Sequence, residues 1–163
     1  MKIYVASSRR NLRQPRIVQL LRKRGHQVYD FRHPSENNEG FAGWEAICPD
    51  YKTWTPRQFL KALQHPFAAQ HFAVNMAALD AADAVILVLP CGRSAHLELG
   101  YAVGKGKPTA ILLDQQNEPE LMYKMAGFIT DVETALWNWS WLQAGYITRA
   151  LRKEPPSPPL SLF

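Results

Sequence analysis

The sequence predicts an α/β domain whose mostly parallel, five-stranded sheet lies between two layers of helix, with strand order 2-1-3-4-5. Three observations point to it. Residues 2 to 31 read as strand, helix and strand within about thirty residues, the length of a βαβ unit with a right-handed crossover. Ala84 to Leu89 is an unbroken apolar run, as expected of a strand buried on both faces of a parallel sheet. A helical stretch and a further apolar strand follow it.

Lys2 to Ala6 is rich in β-branched and aromatic residues and forms the first strand. The first helix is expected from about Pro15 to Arg24. Its proline sits where an N–H would be unpaired anyway, Ile17, Leu20 and Leu21 make a helical stripe, and Gly25 ends it. His26 to Phe31 is the second strand. Residues 32 to 55 are irregular, with Pro34, Gly40, Gly43 and Pro49 among Phe41, Trp44, Tyr51 and Trp54. A loop of this length is commonly functional, and its aromatic content argues against disorder. It reads either as a lid over a site or as an insertion packed by its own aromatics.

Helices are expected over Pro56 to Gln64 and Pro66 to Ala82, the second with Phe67, Phe72, Met76 and Leu79 on one face. Pro90 and Gly92 end the third strand. Ser94 is placed to cap a helix beginning at about Ala95. Strands at Thr109 to Leu113 and Gly127 to Thr130 complete the sheet, and Asp131 is expected to start a last helix reaching about Arg152. The domain is therefore drawn as residues 1–152, with the lid at about 32–55 and a proline-rich mobile tail at 153–163.

The chain has 163 residues, 47% of them hydrophobic, and a formal charge of +5 with a pI near 9.4. Much of that charge lies in the first 24 residues, from Arg9 to Arg24. It reads as a solvated helix face or as attraction to a phosphorylated ligand. Nucleic acid is disfavoured, for there is no aromatic-basic interleaving and no zinc or helix-turn-helix pattern. Cys48 and Cys91 have neither metal-ligand nor disulfide spacing. No metal and no cofactor is expected. MKIYVAS reads as a strand and not a leader, and no apolar run nears a membrane span, so a cytoplasmic, reducing setting without membrane contact is expected.

In open sheets of this flavodoxin- or Rossmann-like kind, ligands bind beyond the carboxyl ends of the strands, at the switch point between the first and third. Those ends carry Ser7, Ser8, Arg9 and Arg10; Asp30, Phe31, Arg32 and His33; and Pro90, Cys91, Gly92, Arg93 and Ser94. All three tips are polar, and cations and hydroxyls recur in them, which suits an anionic or polyhydroxylic ligand. Glu98 lies four residues beyond Ser94, near the same face of the helix start. Alone, a helical glutamate reads as surface. Beside a bound sugar, it suits attack on an anomeric carbon through a covalent glycosyl-enzyme.

KIYVASS, the short second strand ending at His33, and ALDAADAVILVLPCGRSAHLELGYAVGKGKPTAILL resemble the nucleoside 2-deoxyribosyltransferase-like family over about residues 2–135. That family includes the transferases and hydrolases of the nucleotide N-glycosidic bond. The resemblance implies that Glu98 is the nucleophile and that Ser94 lies near sugar or phosphate. It implies that Ser7 and Arg9 contact the substrate and that Tyr4 and His33 line the site. It also implies a homodimer or larger homo-oligomer, with Met122, Tyr123 and Lys124 in a region that reaches across in some members. On this reading Arg9, Arg10 and Arg93 hold phosphate, and Trp44, Tyr51 or Trp54 stacks on the base.

Two departures qualify it. Counting back eight residues from Asp83, where many members carry the Asp that handles the leaving base's proton, gives Asn75. An amide hydrogen-bonds a base but does not readily supply a proton. Gly92 and Arg93 stand where the transferases carry an Asp, which favours a phosphorylated substrate. Asp30, His33 and Asp80 are candidates for a different acid. The resulting expectation is an N-glycosidase of a nucleoside monophosphate. The alternatives are a deoxyribosyltransferase, a nucleotide-binding module without catalysis, and cleavage of a dinucleotide.

Overall fold

The computed structural model describes residues 1–34, 40–115 and 120–137. Five parallel strands, β1 (Lys2–Ala6), β2 (Gln27–Tyr29), β3 (Ala84–Val88), β4 (Thr109–Leu112) and β5 (Phe128–Thr130), form one sheet in the order β2-β1-β3-β4-β5. The helices are α1 (Arg13–Lys23), α2 (Pro56–Leu63), α3 (Pro66–Ala81) and α4 (Arg93–Gly104). Both the α/β class and the strand order expected from the sequence are found.

Alternation along each strand divides the core in two. Ile3, Val5, Ile86, Val88, Ala110 and Leu112 face Ile17, Val18 and Leu21 of α1. Tyr4, Ala6, Val85, Leu87 and Ile111 face the other way, against Leu79 of α3 and Ala95, Leu99 and Ala102 of α4. Every residue of β3 is buried. That explains why its sequence reads as a continuous apolar run: both of its faces are covered, so no position is left for a polar residue. Ile86→Ala should lower the unfolding free energy by about 3–4 kcal/mol, because a wholly buried side chain in the central strand leaves a cavity. A urea titration checks this.

Four departures from the expected elements stand out. β2 keeps only Gln27–Tyr29, because Asp30 turns the chain: its carboxylate accepts the Arg32 N–H at 3.1 Å and its carbonyl the His33 N–H at 3.0 Å. α4 begins at Arg93, with Gly92 at the cap position and no side-chain cap, so Ser94 lies in the first turn and is exposed. On α3, Phe72 is 67% exposed whereas His71 is buried against Phe67 and Phe41. α3 is apolar almost all round, so its sequence alone does not single out the buried face. Finally, a 3-10 turn at Glu133–Trp137 stands where a helix from Asp131 is expected. The remainder of that helix and the proline-rich tail lie outside the described residues.

Much of the early positive charge is structural. Arg13 pairs with Asp114 at 3.7 Å and Glu133 at 3.5 Å and donates to the Leu113 carbonyl. Arg16 pairs with Glu133 at 3.3 Å, and Arg22 donates to the Val28 carbonyl. These contacts tie α1 to β2 and to the segments after β4 and β5.

Candidate active site

The carboxyl end of β3 leads through a cis Leu89–Pro90 peptide and the Gly92 cap into α4. α4 packs on β3 and β1 through Ala95, Leu99 and Ala102, and this seats Glu98 between helix and sheet. Its carboxyl is half-buried, and burial raises its pKa to about 7. The Tyr4 hydroxyl opposes this rise in part, favouring the carboxylate.

Tyr4 is wholly buried in β1. Its hydroxyl has no partner in hydrogen-bonding geometry among the described residues, although Glu98 acts on it electrically. Burial first, and then the Glu98 charge, push its ionisation far above the ordinary phenol range. Parallel register sets Tyr4 beside Tyr29 of β2, and the rings stack with centroids 5.1 Å apart and planes at 21°. The Tyr29 hydroxyl donates to Asn75 Oδ1 of α3 at 2.6 Å. Burial, then Glu98, then Asp30 raise Tyr29 to about 12. Cys91, packed under the start of α4, is raised to about 12 by burial and by Glu98, so it is a thiol at neutral pH. Glu98, Tyr4, Tyr29, Asn75 and Cys91 are thus one neighbourhood.

The loop after β1 is braced by polar contacts. Ser7 Oγ donates to the Val88 carbonyl at 2.7 Å, and Asn11 Nδ2 reaches both Ser7 Oγ and Val88 O at 3.0 Å. Ser8 Oγ accepts the Arg10 N–H, and the Arg10 side chain is exposed. Arg9 and Arg32 form a reciprocal clasp. Arg9 donates to the carbonyls of Phe41 at 2.9 Å and Gly40 at 3.1 Å. Arg32 donates to those of Arg9 at 2.6 Å and Asn11 at 2.8 Å. Gly40 must be a glycine here, because a Cβ would run into the Phe31 carbonyl. Only carbonyl oxygens receive these hydrogen bonds. Arg32→Ala should lower stability by about 2 kcal/mol by removing charge-assisted hydrogen bonds, and should expose the chain near Gly40 to protease. Thermal melts and limited proteolysis check both.

Trp44, Tyr51 and Trp54 form an aromatic cluster. Trp44 meets Phe41 at 5.2 Å, Phe59 of α2 at 5.5 Å and Trp54 at 5.8 Å, and Tyr51 meets Trp54 at 6.3 Å. Phe41 reaches Phe67 of α3 at 5.6 Å, so the segment is fastened to both helices. His33, Gly92, Arg93 and Ser94 are exposed. Of the candidate acids, Asp30 is buried and accepts from Gln14 Nε2 at 2.9 Å, and Asp80 accepts from the Tyr101 hydroxyl at 2.6 Å. His96 lies against the Gly92 carbonyl through Nδ1 at 2.9 Å and the Tyr123 hydroxyl through Nε2 at 2.9 Å, joining the turn before α4 to the segment after β4.

Sequence reading gives no role to Tyr29, Asn11 or His96, and it names Arg32 only as a cation at a strand tip, not as part of a clasp. The signal for Tyr29 is its register opposite Tyr4, which follows once two parallel strands are aligned on their buried faces. The clasp has no comparable signal, for it depends on the path of the loop. Among the described residues, no group of His, Cys, Asp and Glu is placed to hold a metal, and no helix is long and apolar enough to cross a membrane. A cavity of about 350 Å³ lies at the amino ends of β1 and β2, between them and the end of α3, and meets the Glu98 neighbourhood only at Tyr29.

No protein-family model and no curated protein sequence matches the chain. Solved structures do. A 2-deoxyribosyltransferase from Bacillus psychrosaccharolyticus superposes over 88% of this chain and 96% of its own, at 19% identity and a TM-score of 0.62. A CMP N-glycosidase, BcmB, from Clostridium botulinum covers 86% of this chain and 99% of its own, at 17% identity and a TM-score of 0.49. Across nearly its whole length, the chain has the fold of a 2-deoxyribosyltransferase.

Proposed function

We propose that the protein is a nucleotide N-glycosidase of the nucleoside 2-deoxyribosyltransferase-like family. Glu98 attacks C1′ of a nucleoside monophosphate, the base departs, and water resolves the glycosyl ester. The observation that carries this reading is the seat of Glu98: a half-buried carboxyl in the second turn of α4, the helix that follows the central strand, acting on a buried tyrosine hydroxyl. A desolvated carboxylate is a stronger nucleophile than a solvated one, and a pKa of about 7 leaves about half of it ionised at neutral pH.

Ser94 and Arg93 in the exposed first turn of α4, with Arg10 and Ser8 on the loop after β1, are the groups proposed to hold phosphate and sugar. Ser7 shapes that loop through Val88. Arg9 bridges it to the lid segment, and His33 lies at the neighbouring tip. Trp44, Tyr51 and Trp54 are the candidates for base stacking. Gly92 and Arg93 at the turn favour phosphate over the neutral nucleosides of the transferases, which remain the second reading. The protein is taken to work in the cytoplasm as a homodimer or larger homo-oligomer on a small-molecule nucleotide.

Incubation with a panel of ribo- and deoxyribonucleoside monophosphates, with free base read by chromatography, tests the reading. Release from at least one, and less from the matching nucleoside, supports it. Release from none sinks it. If adding a second free base yields a new nucleoside faster than water yields free sugar, the transferase reading replaces it.

A further inference from the structure

The cavity of about 350 Å³ at the amino ends of β1 and β2 follows from the same alternation that divides the core. Parallel register pairs Tyr4 with Tyr29 and Lys2 with Gln27. Tyr4 faces α3 and α4, and Lys2, Gln27 and Tyr29 share its side of the sheet because side chains alternate along a strand. Opposite them lie Ala78 and Ala81 of α3 and its cap residue Ala82. Further along, Tyr4 and Leu79 belong to the packed core. Here only methyl groups stand across from the strands, and the space between is open. Interiors are packed to nearly crystalline density, so a gap of this size between helix and sheet departs from the rest of the domain. Its volume is at the lower end of the ~300–1,000 Å³ typical of small-molecule pockets.

The lining sets what fits. Its body is apolar: the three alanine methyls, the Lys2 stem and the Tyr29 ring, with Ile3 and Val28 beside them. The Tyr29 hydroxyl already donates to Asn75, so this residue offers a ring and not a polar group. Two polar groups remain, the Lys2 ammonium and the Gln27 amide, and among the described residues neither has a hydrogen-bond or ion-pair partner. Among those residues no carboxylate lines the cavity. Asp83 instead accepts the Lys2 N–H at 2.7 Å, and Asp80 accepts the Tyr101 hydroxyl at 2.6 Å. We propose that this cavity is a second small-molecule site, apart from Glu98, that takes a flat aromatic carboxylate. The ring lies in the slot between the alanines and the strands, with its edge toward Tyr29. The carboxylate meets the Lys2 ammonium at the rim, where a charge-assisted contact is strongest without a competing acid. The Gln27 amide receives or donates a hydrogen bond at the ring edge. Nothing in this assignment depends on the N-glycosidase reading.

An amide NMR titration of the full chain with naphthoate, and with naphthamide as its uncharged match, tests the proposal. Naphthoate should shift the amides of Lys2, Ile3, Gln27, Tyr29, Ala78 and Ala82 to saturation and bind about tenfold more tightly than naphthamide. Lys2→Met keeps the stem and removes the charge, so it should weaken naphthoate about tenfold and leave naphthamide unchanged. Ala78→Leu fills the gap and should abolish both titrations, while Glu98→Gln should titrate as wild type does. If Ala78→Leu melts early, Ala81→Leu, at the exposed edge of the same wall, is read in its place. No saturable shift, equal affinity for acid and amide, or a leucine variant that still binds would overturn the inference. So would shifts centred on α4 and the loop after β1, which would return the probe to the Glu98 site. No turnover enters the titration, so its outcome and that of the base-release panel are read separately.

Discussion

Glu98→Gln should reduce base release by at least about a thousandfold while leaving the fold intact. A glutamine is close to the same shape and cannot form the glycosyl ester, so whatever rate remains comes from binding and orientation alone. Nucleotide affinity should change little, because phosphate and base are gripped by other groups. Chromatographic base release with wild type and variant side by side, together with a ligand-dependent thermal shift, separates the two effects. A variant that keeps more than about a tenth of the rate would remove Glu98 from the chemistry.

The second large effect is on pH. An attacking carboxylate must be ionised, so kcat/KM should climb through an acid limb near pH 7, set by the Glu98 carboxyl at about 7. Tyr4→Phe removes the group that favours the carboxylate, and it should move the limb to higher pH. The same shift acts on stability. Glu98 binds its proton more tightly folded than unfolded, so the native state holds more protons between its ordinary value of 4.5 and about 7. Stability therefore falls as pH rises across that window, by roughly 2–3 kcal/mol for a carboxyl of this burial. Glu98→Gln has no such proton. It should be more stable than wild type at pH 8 and closely match it at pH 4, and urea titrations at the two values read the difference. An inactive variant that is also the more stable one would show that the site holds its nucleophile against the interest of the fold.

The parallel sheet was legible because its signals are local. The apolar run of β3 and the βαβ spacing of residues 2 to 31 each need only a short window of sequence. Glu98 was legible as a candidate from its place after a strand and turn, but its desolvation was not, because that depends on how closely α4 packs on β1 and β3. Arg9 shows the converse. Three strand tips rich in polar residues suggest an anion site, yet the Arg9 guanidinium turns to the Gly40 and Phe41 carbonyls, whose position depends on a loop with no periodic pattern. Ser94 was read as a cap because serine is common there; Gly92 takes the position because the turn is tighter by two residues. Tyr29 went unread because a cross-strand pair becomes visible only when register is fixed.

The central claim is that Glu98 bonds to the anomeric carbon. Acid-quenching the protein during turnover of a 2′-deoxy-2′-fluoro nucleoside monophosphate, whose electron-withdrawing fluorine slows the second step, allows the ester to be seen by peptide mass. The peptide carrying Glu98 should gain the mass of the fluorinated sugar phosphate, and Glu98→Gln should gain none. Release of base with that peptide unmodified at every quench time would contradict the account.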